Sequence, residues 1–325
     1  MKRVFVHMLG MLALVLGSAL VQAQEFPSKP INLVVTAAPG GSLDVLARLL
    51  ADGMGKALKQ RIIVQNIGGA GGTIGTLRVA TAPHDGYTIL INNLAFAIYP
   101  SLYRQLPFNV VTDFEPIGLI VDVPMTIVAR KDLPAKDFKE MLGYIKTNKQ
   151  KVTWANSGLG GSMYLCGLLF MNAIGTEVTS VAYKGGGPAM NDLSGGHVDF
   201  LCDSVSVTLS HIKAGNIKVY GVSSKNRVTS LPDVPTLGEV GLPSSEIVVW
   251  NGLWAPKGTP LAAIDKLSAA LQQALASTLI KERFADFGSE PVAQDQATPE
   301  GLRLRLKSEL DRWDPIIKKA GVYAD

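Results

Sequence analysis

Histidine is scarce in this 325-residue sequence, with 4 in all. Beyond the N-terminal segment these are His84, His197 and His211, and none lies at ligand spacing from a cysteine, so a Cys/His zinc site is not expected. The same scarcity argues against a nucleophile activated by a nearby base. Cysteine is scarcer still. Cys166 and Cys202 both sit in apolar stretches, which leaves open one disulfide or two buried thiols. No later segment offers the roughly 18 uncharged apolar residues that a membrane span needs. Charge is nearly balanced, 31 Lys plus Arg against 27 acidic residues. No basic block stands out, so the clustered stripe that nucleic acid requires is missing. Internal repeats and low-complexity segments are absent too.

Enzyme motifs fail when tested. Ser162 follows Gly160-Gly161 but precedes Met163-Tyr164, so it is not a nucleophile elbow. No Walker loop occurs, and residues 69–75 miss the dinucleotide pattern because Ile74 stands at the last glycine position.

What is present begins at the N-terminus. Lys2 and Arg3 precede an apolar run at 8–21, which ends at Val21-Gln22-Ala23. Small residues there fit a signal peptide over residues 1–23, cleaved near Ala23. The mature chain is then expected to start near Gln24, in the periplasm, with the formal charge lowered from +4 to +2 by loss of Lys2 and Arg3. About 300 residues remain, enough for one large domain or two ordinary ones. The composition, 47% hydrophobic and 18% charged, is that of a well-packed globular protein.

Short β-branched runs alternate with longer helical patterns. Strands are predicted at 31–36, 62–66, 87–92, 125–128, 152–155, 178–182, 200–202 and 219–222. Helices are predicted at 42–58, 75–82, 137–148, 162–174, 188–194, 261–279 and 299–320. This order argues for an α/β fold with mostly parallel sheets flanked by helices. Segments 116–124 and 242–253 are expected crossovers. They divide the chain into lobe one, 26–123 plus 246–325, and lobe two, 124–245, with a ligand cleft between them.

Glycine-rich loops carry the chemistry. Pro39-Gly40-Gly41-Ser42-Leu43-Asp44 joins the first strand to the first helix, with Ser42 as the expected N-cap. The helix start offers free amides and a positive dipole end, a natural site for a carboxylate. Gly68-Gly69-Ala70-Gly71-Gly72-Thr73 and Asn156-Ser157-Gly158-Leu159-Gly160-Gly161-Ser162 repeat the arrangement. Each follows a strand, where open α/β sheets place ligands. Lys184, in Tyr183-Lys184-Gly185-Gly186-Gly187-Pro188, neutralises the ligand or is a solvated surface lysine. Asp203 binds a ligand hydroxyl or ammonium, or caps the next turn.

The order of these motifs resembles a known family. Pro39-Gly40-Gly41-x-x-Asp44-x-x-x-Arg48 is followed by Gly69-Ala70-Gly71-Gly72-x-x-Gly75 and Asp85-Gly86-Tyr87. Tyr183-Lys184-Gly185, Gly195-Gly196-x-Val198-Asp199 and Leu231-Pro232-Asp233-Val234-Pro235-Thr236 come next, then Gly252-Leu253-x-Ala255-Pro256-x-Gly258-Thr259-Pro260. From about Pro27 to the C-terminus the chain is similar to the tripartite tricarboxylate transporter receptors, the Bug-type solute-binding proteins. The resemblance implies a two-lobed periplasmic-binding-protein fold of type II kind, which closes on a small organic acid. It implies no cofactor, no catalysis, a monomer, and small and large membrane subunits as partners.

By position, the family's pocket falls on Ala38, Gly40, Gly41, Ser42, Leu43 and Asp44 of the first loop and helix. It continues through Gly71, Asn93 and Phe96, then Ser157, Gly158, Gly160, Ser162 and Tyr164, and ends on Lys184 and Asp203. This chain departs from relatives at Ala37, where an aromatic residue is common, and at Leu43, where threonine is. Phe96 and Tyr164 stand where histidine is frequent. These changes point to a carboxylate with an apolar or aromatic body. The same pocket would serve a sensing partner of a membrane kinase, and a hydrolase on a similar scaffold is a more remote reading.

Overall fold

The computed structural model describes residues 25–183, 185–286 and 288–324. The expected signal peptide, 1–23, and Lys184 lie outside the described residues. The first βαβ units are β1 (Ile31–Val35), α1 (Ser42–Leu58), β2 (Ile62–Asn66), α2 (Thr73–Ala80), β3 (Thr88–Asn93) and α3 (Ala95–Leu102). A long strand β4 (Phe114–Arg130) leads to α4 (Phe138–Asn148), β5 (Thr153–Asn156), α5 (Ser162–Ile174) and β6 (Thr179–Ala182). Next come α6 (Gly186–Ser194), β7 (Phe200–Ser204), α7 (Val205–Lys213) and β8 (Ile217–Val222). The chain ends with β9 (Val248–Pro256), α8 (Leu261–Ala276), α9 (Thr278–Asp286), β10 (Glu290–Pro291) and α10 (Pro299–Ala320).

The helices follow from residue spacing. In α1, Leu43, Leu46, Ala47, Leu50 and Met54 form one buried stripe, and each buried Leu or Met is worth about 1.5–3 kcal/mol. The helix stops at Lys59, a left-handed C-cap whose N–H reaches the carbonyls of Gly55 and Lys56. Asp137 starts α4 as its side-chain N-cap, accepting from the Glu140 N–H. Thr298 does the same for α10, accepting from Gly301. Two expectations shift. The helix expected over 261–279 ends at Ala276, because Ser277 turns to an extended conformation before α9 begins. The helix expected at 75–82 starts earlier, at Thr73, after a short 3-10 turn at Ala70–Gly72.

The strand order is β2-β1-β3-β9-β4-β7-β5-β6, with β8 and β10 also paired to β4. β1, β2 and β3 run parallel, as do β5, β6 and β7. The expectation of mostly parallel sheets needs correction at the centre. There β9 is antiparallel to both β3 and β4, and β4 is antiparallel to β7 and β8. The expected crossover at 116–124 is no linker but part of the 17-residue β4. Pro116 is tolerated, since the register shifts beside it. β1–β3 join the central strands through β9, β5 and β6 join them through β7, and β4 pairs with both β9 and β7.

Trp154, Trp250, Trp254 and Trp313 are fully buried among the aliphatic strands. Cys166 on α5 and Cys202 on β7 are paired in a disulfide, with Cα atoms 6.1 Å apart, within the normal range. Among the described residues, no helix is long and apolar enough to cross a membrane.

Candidate ligand-binding site

Two contacts mark the candidate site: the start of α1 meets the start of α7, and the loop after β5 meets Gly71 and Leu102. Gly41, in an extended conformation, is the N-cap of α1, with no side-chain capping bond. The expectation that Ser42 caps this helix is therefore corrected. Ser42 is the first helical residue, and its hydroxyl lies 3.1 Å from Ser206 Oγ on the opposite lobe. Ser206 Oγ in turn lies 2.9 Å from Ser204 Oγ. A short hydroxyl chain thus crosses the cleft.

Asp44 anchors the first loop. Its buried carboxylate accepts from the Gly40 N–H at 2.9 Å, Asn66 Nδ2 at 2.9 Å and Arg48 Nε at 3.0 Å. Burial opposes its ionisation, but the bonds from Arg48, Gly40 and Asn66 outweigh it and hold the carboxyl below its usual range. The Gly40 amide is engaged by this bond. Leu43 is buried in the core, while Ala38 and Gly40 are exposed on the loop.

The second glycine loop is pinned by tyrosines. Tyr99 donates to the Gly71 carbonyl at 3.0 Å, and Tyr103 to the Ala70 carbonyl at 2.8 Å. Asn93 turns its Oδ1 to the Ala95 N–H at 3.0 Å, capping the start of α3. Phe96 does not reach the cleft. It is fully buried, with its ring 4.5 Å from Trp254 and 5.1 Å from Phe114, centroid to centroid. An apolar side chain in the first turn of α3 gains more from that aromatic cluster than from a polar cleft.

On the other lobe, Asn156 shapes the loop by accepting from the Gly158 N–H at 2.8 Å and donating to Ser180 Oγ at 2.7 Å. Ser157 and Gly158 are half-buried in this loop. Gly161 is the N-cap of α5, again without a side-chain bond, so the amides of Ser162 and its neighbours start the helix uncapped. Tyr164, one turn further in, is half-buried, and burial raises its phenol pKa. The lobes touch here. Gly160 has φ +77°, and a Cβ built on it would overlap the buried Leu102 of the facing lobe. A Cβ on Gly71 would come 3.6 Å from the Leu159 carbonyl.

Asp203 closes the site from the end of β7. Its Oδ1 accepts from the Ser204 N–H at 2.7 Å, while Oδ2 is buried without a partner. Oδ2 abuts Gly186, where a Cβ would overlap it. Burial pushes this carboxyl up to about 7, against the lowering effect of the Ser204 bonds. Sequence reasoning missed Ser204 and Ser206, whose signal is a Ser-x-Ser step directly after a strand.

A family model described as tripartite tricarboxylate transporter family receptor matches residues 46–322. The chain belongs to that family. A UPF0065 protein from the TAR-I ttuE–ttuC′ intergenic region of Agrobacterium vitis is 46% identical over 301 residues, 92% of this chain and 87% of the relative. The periplasmic binding protein BugD is 45% identical, with a TM-score of 0.88 over 92% of this chain and 99% of that one. MatC from Rhodopseudomonas palustris, solved with malate, is 34% identical, with a TM-score of 0.85 over 90% and 100% of the chains. Rpa4515 from R. palustris, solved with adipate, is 30% identical, with a TM-score of 0.86 over 92% and 99%. This receptor is therefore a periplasmic solute-binding protein with the two-lobed fold of its family.

Proposed function

We propose that this receptor captures a small organic carboxylate between its lobes, without turnover, and delivers it to the small and large membrane subunits of a tripartite transporter. The observation that carries the reading is the pair of helix starts, α1 and α5. They come from opposite lobes, and each has a glycine N-cap and no capping side chain. Free first-turn amides and two dipole ends make an anion site out of backbone groups. Malate and adipate, found with two of its structural relatives, are of this class. Asp203 Oδ2 supplies a further polar contact to the ligand, and Lys184 adds positive charge.

The lobes are taken as 26–123 plus 246–325 and 124–245. In support, β4 pairs with β9 as far as Pro124 and with β7 from Met125 onward. Export follows cleavage near Ala23. Calorimetric titration of the mature protein with malate, adipate and benzoate tests the reading. One equivalent of at least one acid is expected to bind, and scattering is expected to show a smaller radius of gyration on binding. If none of these acids bound or raised the melting temperature, the anion cleft would be refuted.

Closure itself has a sensitive point. Gly160→Ala is expected to weaken capture about tenfold, since overpacking of this kind costs about 1–3 kcal/mol where the two segments must meet. The added methyl meets Leu102 when the lobes are together. The check is titration of the same acid into both proteins. Equal affinities would mean that the lobes do not need this contact.

A further inference from the structure

The strand order leaves β2 at one end of the sheet, where among the described residues it pairs with β1 alone. Its open side follows from the ladder. The Ile31 N–H donates to the Arg61 carbonyl, and the Ile67 N–H donates to the Val35 carbonyl. Parallel strands alternate the direction of their bonds residue by residue. Ile63 and Gln65 therefore bond toward β1, while Ile62, Val64 and Asn66 turn their N–H and C=O groups outward. An open edge is commonly blunted by proline, by a bulge or by charges within the strand. β2 reads Ile-Ile-Val-Gln-Asn, and its register on β1 is unbroken. None of those devices is present, and Ile63 is 37% exposed.

A groove follows this edge, walled by the last turns of α1 and by Ile62, Ile63 and Val64. Its charged lining is Arg48, Lys56, Lys59 and Arg61 against Asp52. Lys56 is paired with Asp52 at 2.6 Å, and Arg48 with Asp44 at 3.0 Å. Lys59 is the left-handed C-cap of α1. Both Lys59 and Arg61 are exposed, and among the described residues neither has an acidic partner. The whole chain is nearly balanced in charge, so the excess is local. The cations are spread over residues 48–61 and gather only in the fold.

We infer that β2 is a docking edge for a partner protein, which adds an extended acidic segment to the sheet as a further strand. Main-chain bonds to Ile62, Val64 and Asn66 supply the affinity, as in other strand additions. Lys59 and Arg61 supply the preference for carboxylates, through charge-assisted bonds at the start of the edge. A second copy of this chain is the wrong occupant, because edge-to-edge pairing would bring two cationic grooves together. The inference needs nothing from the proposed ligand site and stands or falls apart from the carboxylate reading.

The test uses the whole mature protein and two labelled peptides, Ser-Glu-Val-Glu-Val-Glu-Ser and the same peptide with lysine in place of each glutamate. By fluorescence anisotropy the acidic peptide is expected to bind with a Kd below about 1 mM, and the lysine peptide at least about tenfold more weakly. Lys59→Glu combined with Arg61→Glu is expected to reverse that order. The reversal is a ratio within one protein, so general destabilisation does not mimic it. Hydrogen exchange reads the mode of binding without any substitution. Near-saturating acidic peptide is expected to slow the outward amides of Ile62 and Val64 at least about threefold, and those of Ile63 and Gln65, already bonded to β1, less. Vesicles of phosphatidylglycerol, the other anionic surface open to such cations, are expected to hold the protein no more tightly than phosphatidylcholine vesicles at about 0.15 M salt. The inference is overturned if the acidic peptide does not bind, if charge reversal leaves the order unmoved, or if the outward amides are not slowed. Preferential capture by the phosphatidylglycerol vesicles, or a dimer whose formation slows the same amides, overturns it as well.

Discussion

Replacing both Cys166 and Cys202 with alanine is expected to cost about 4 kcal/mol of stability and to lower the melting temperature by roughly 10 °C. The bond spans 36 residues, and closing a loop of that length removes entropy from the unfolded chain in about this amount. Both cysteines are buried, at 1% and 0% exposure, so the expected loss includes little relief from solvent. The effect reaches the ligand. Cys166 sits on α5, whose first turn forms the second anion loop, and Cys202 immediately precedes Asp203. The disulfide therefore ties the helix that follows the β5 loop to the strand that carries Asp203, two segments of the proposed site. Thermal unfolding followed by circular dichroism measures the first effect, and titration of a bound acid measures the second. An unchanged midpoint would mean that the bond does not constrain the unfolded chain.

The second large effect concerns Asp203. Its folded carboxyl is raised by burial to about 7, against about 3.9 in an unfolded chain. The folded state thus holds the proton more tightly. Its contribution to stability is complete below about pH 4 and is lost as pH rises toward 7. With about 1.4 kcal/mol per unit, the cost of ionising it in place approaches 4 kcal/mol. Asp203→Asn keeps the shape and the acceptor for the Ser204 N–H but cannot ionise. In the ligand-free protein the variant is expected to match the parent near pH 4.5 and to exceed it by up to about 4 kcal/mol at pH 8. Urea unfolding at both pH values measures the difference. A gap that stays constant with pH would show that Asp203 ionises freely in the folded protein.

Much of the frame was legible in the residues. Ser42–Leu58 and Pro299–Ala320 carry clear apolar stripes and C-caps, so their periodicity survives folding. Ala95–Leu102 does not, because every residue but Pro100 is buried and no polar face is left to set a period. Val205–Lys213 alternates apolar and polar residues in Val-Ser-Val-Thr-Leu, a strand-like period that tertiary packing overrides. Pro116 and Pro124 read as breaks, yet β4 runs through both. For the site, glycine loops after strands marked where an anion would lie. Side-chain direction was not readable. Leu43 and Phe96 face the core, Asp44 bonds its own loop, and Ser206 reaches across from the first turn of α7. The unpaired Oδ2 of Asp203 exists only because distant segments bury it.

The shared strand β4 has one more consequence. It is hydrogen-bonded to β9 and β10 along its first part and to β7 and β8 along its second. Melting either lobe would strip backbone partners from a strand that the other lobe still needs. The molecule therefore has no cheap half-unfolded form. It is expected to give way as a single cooperative unit.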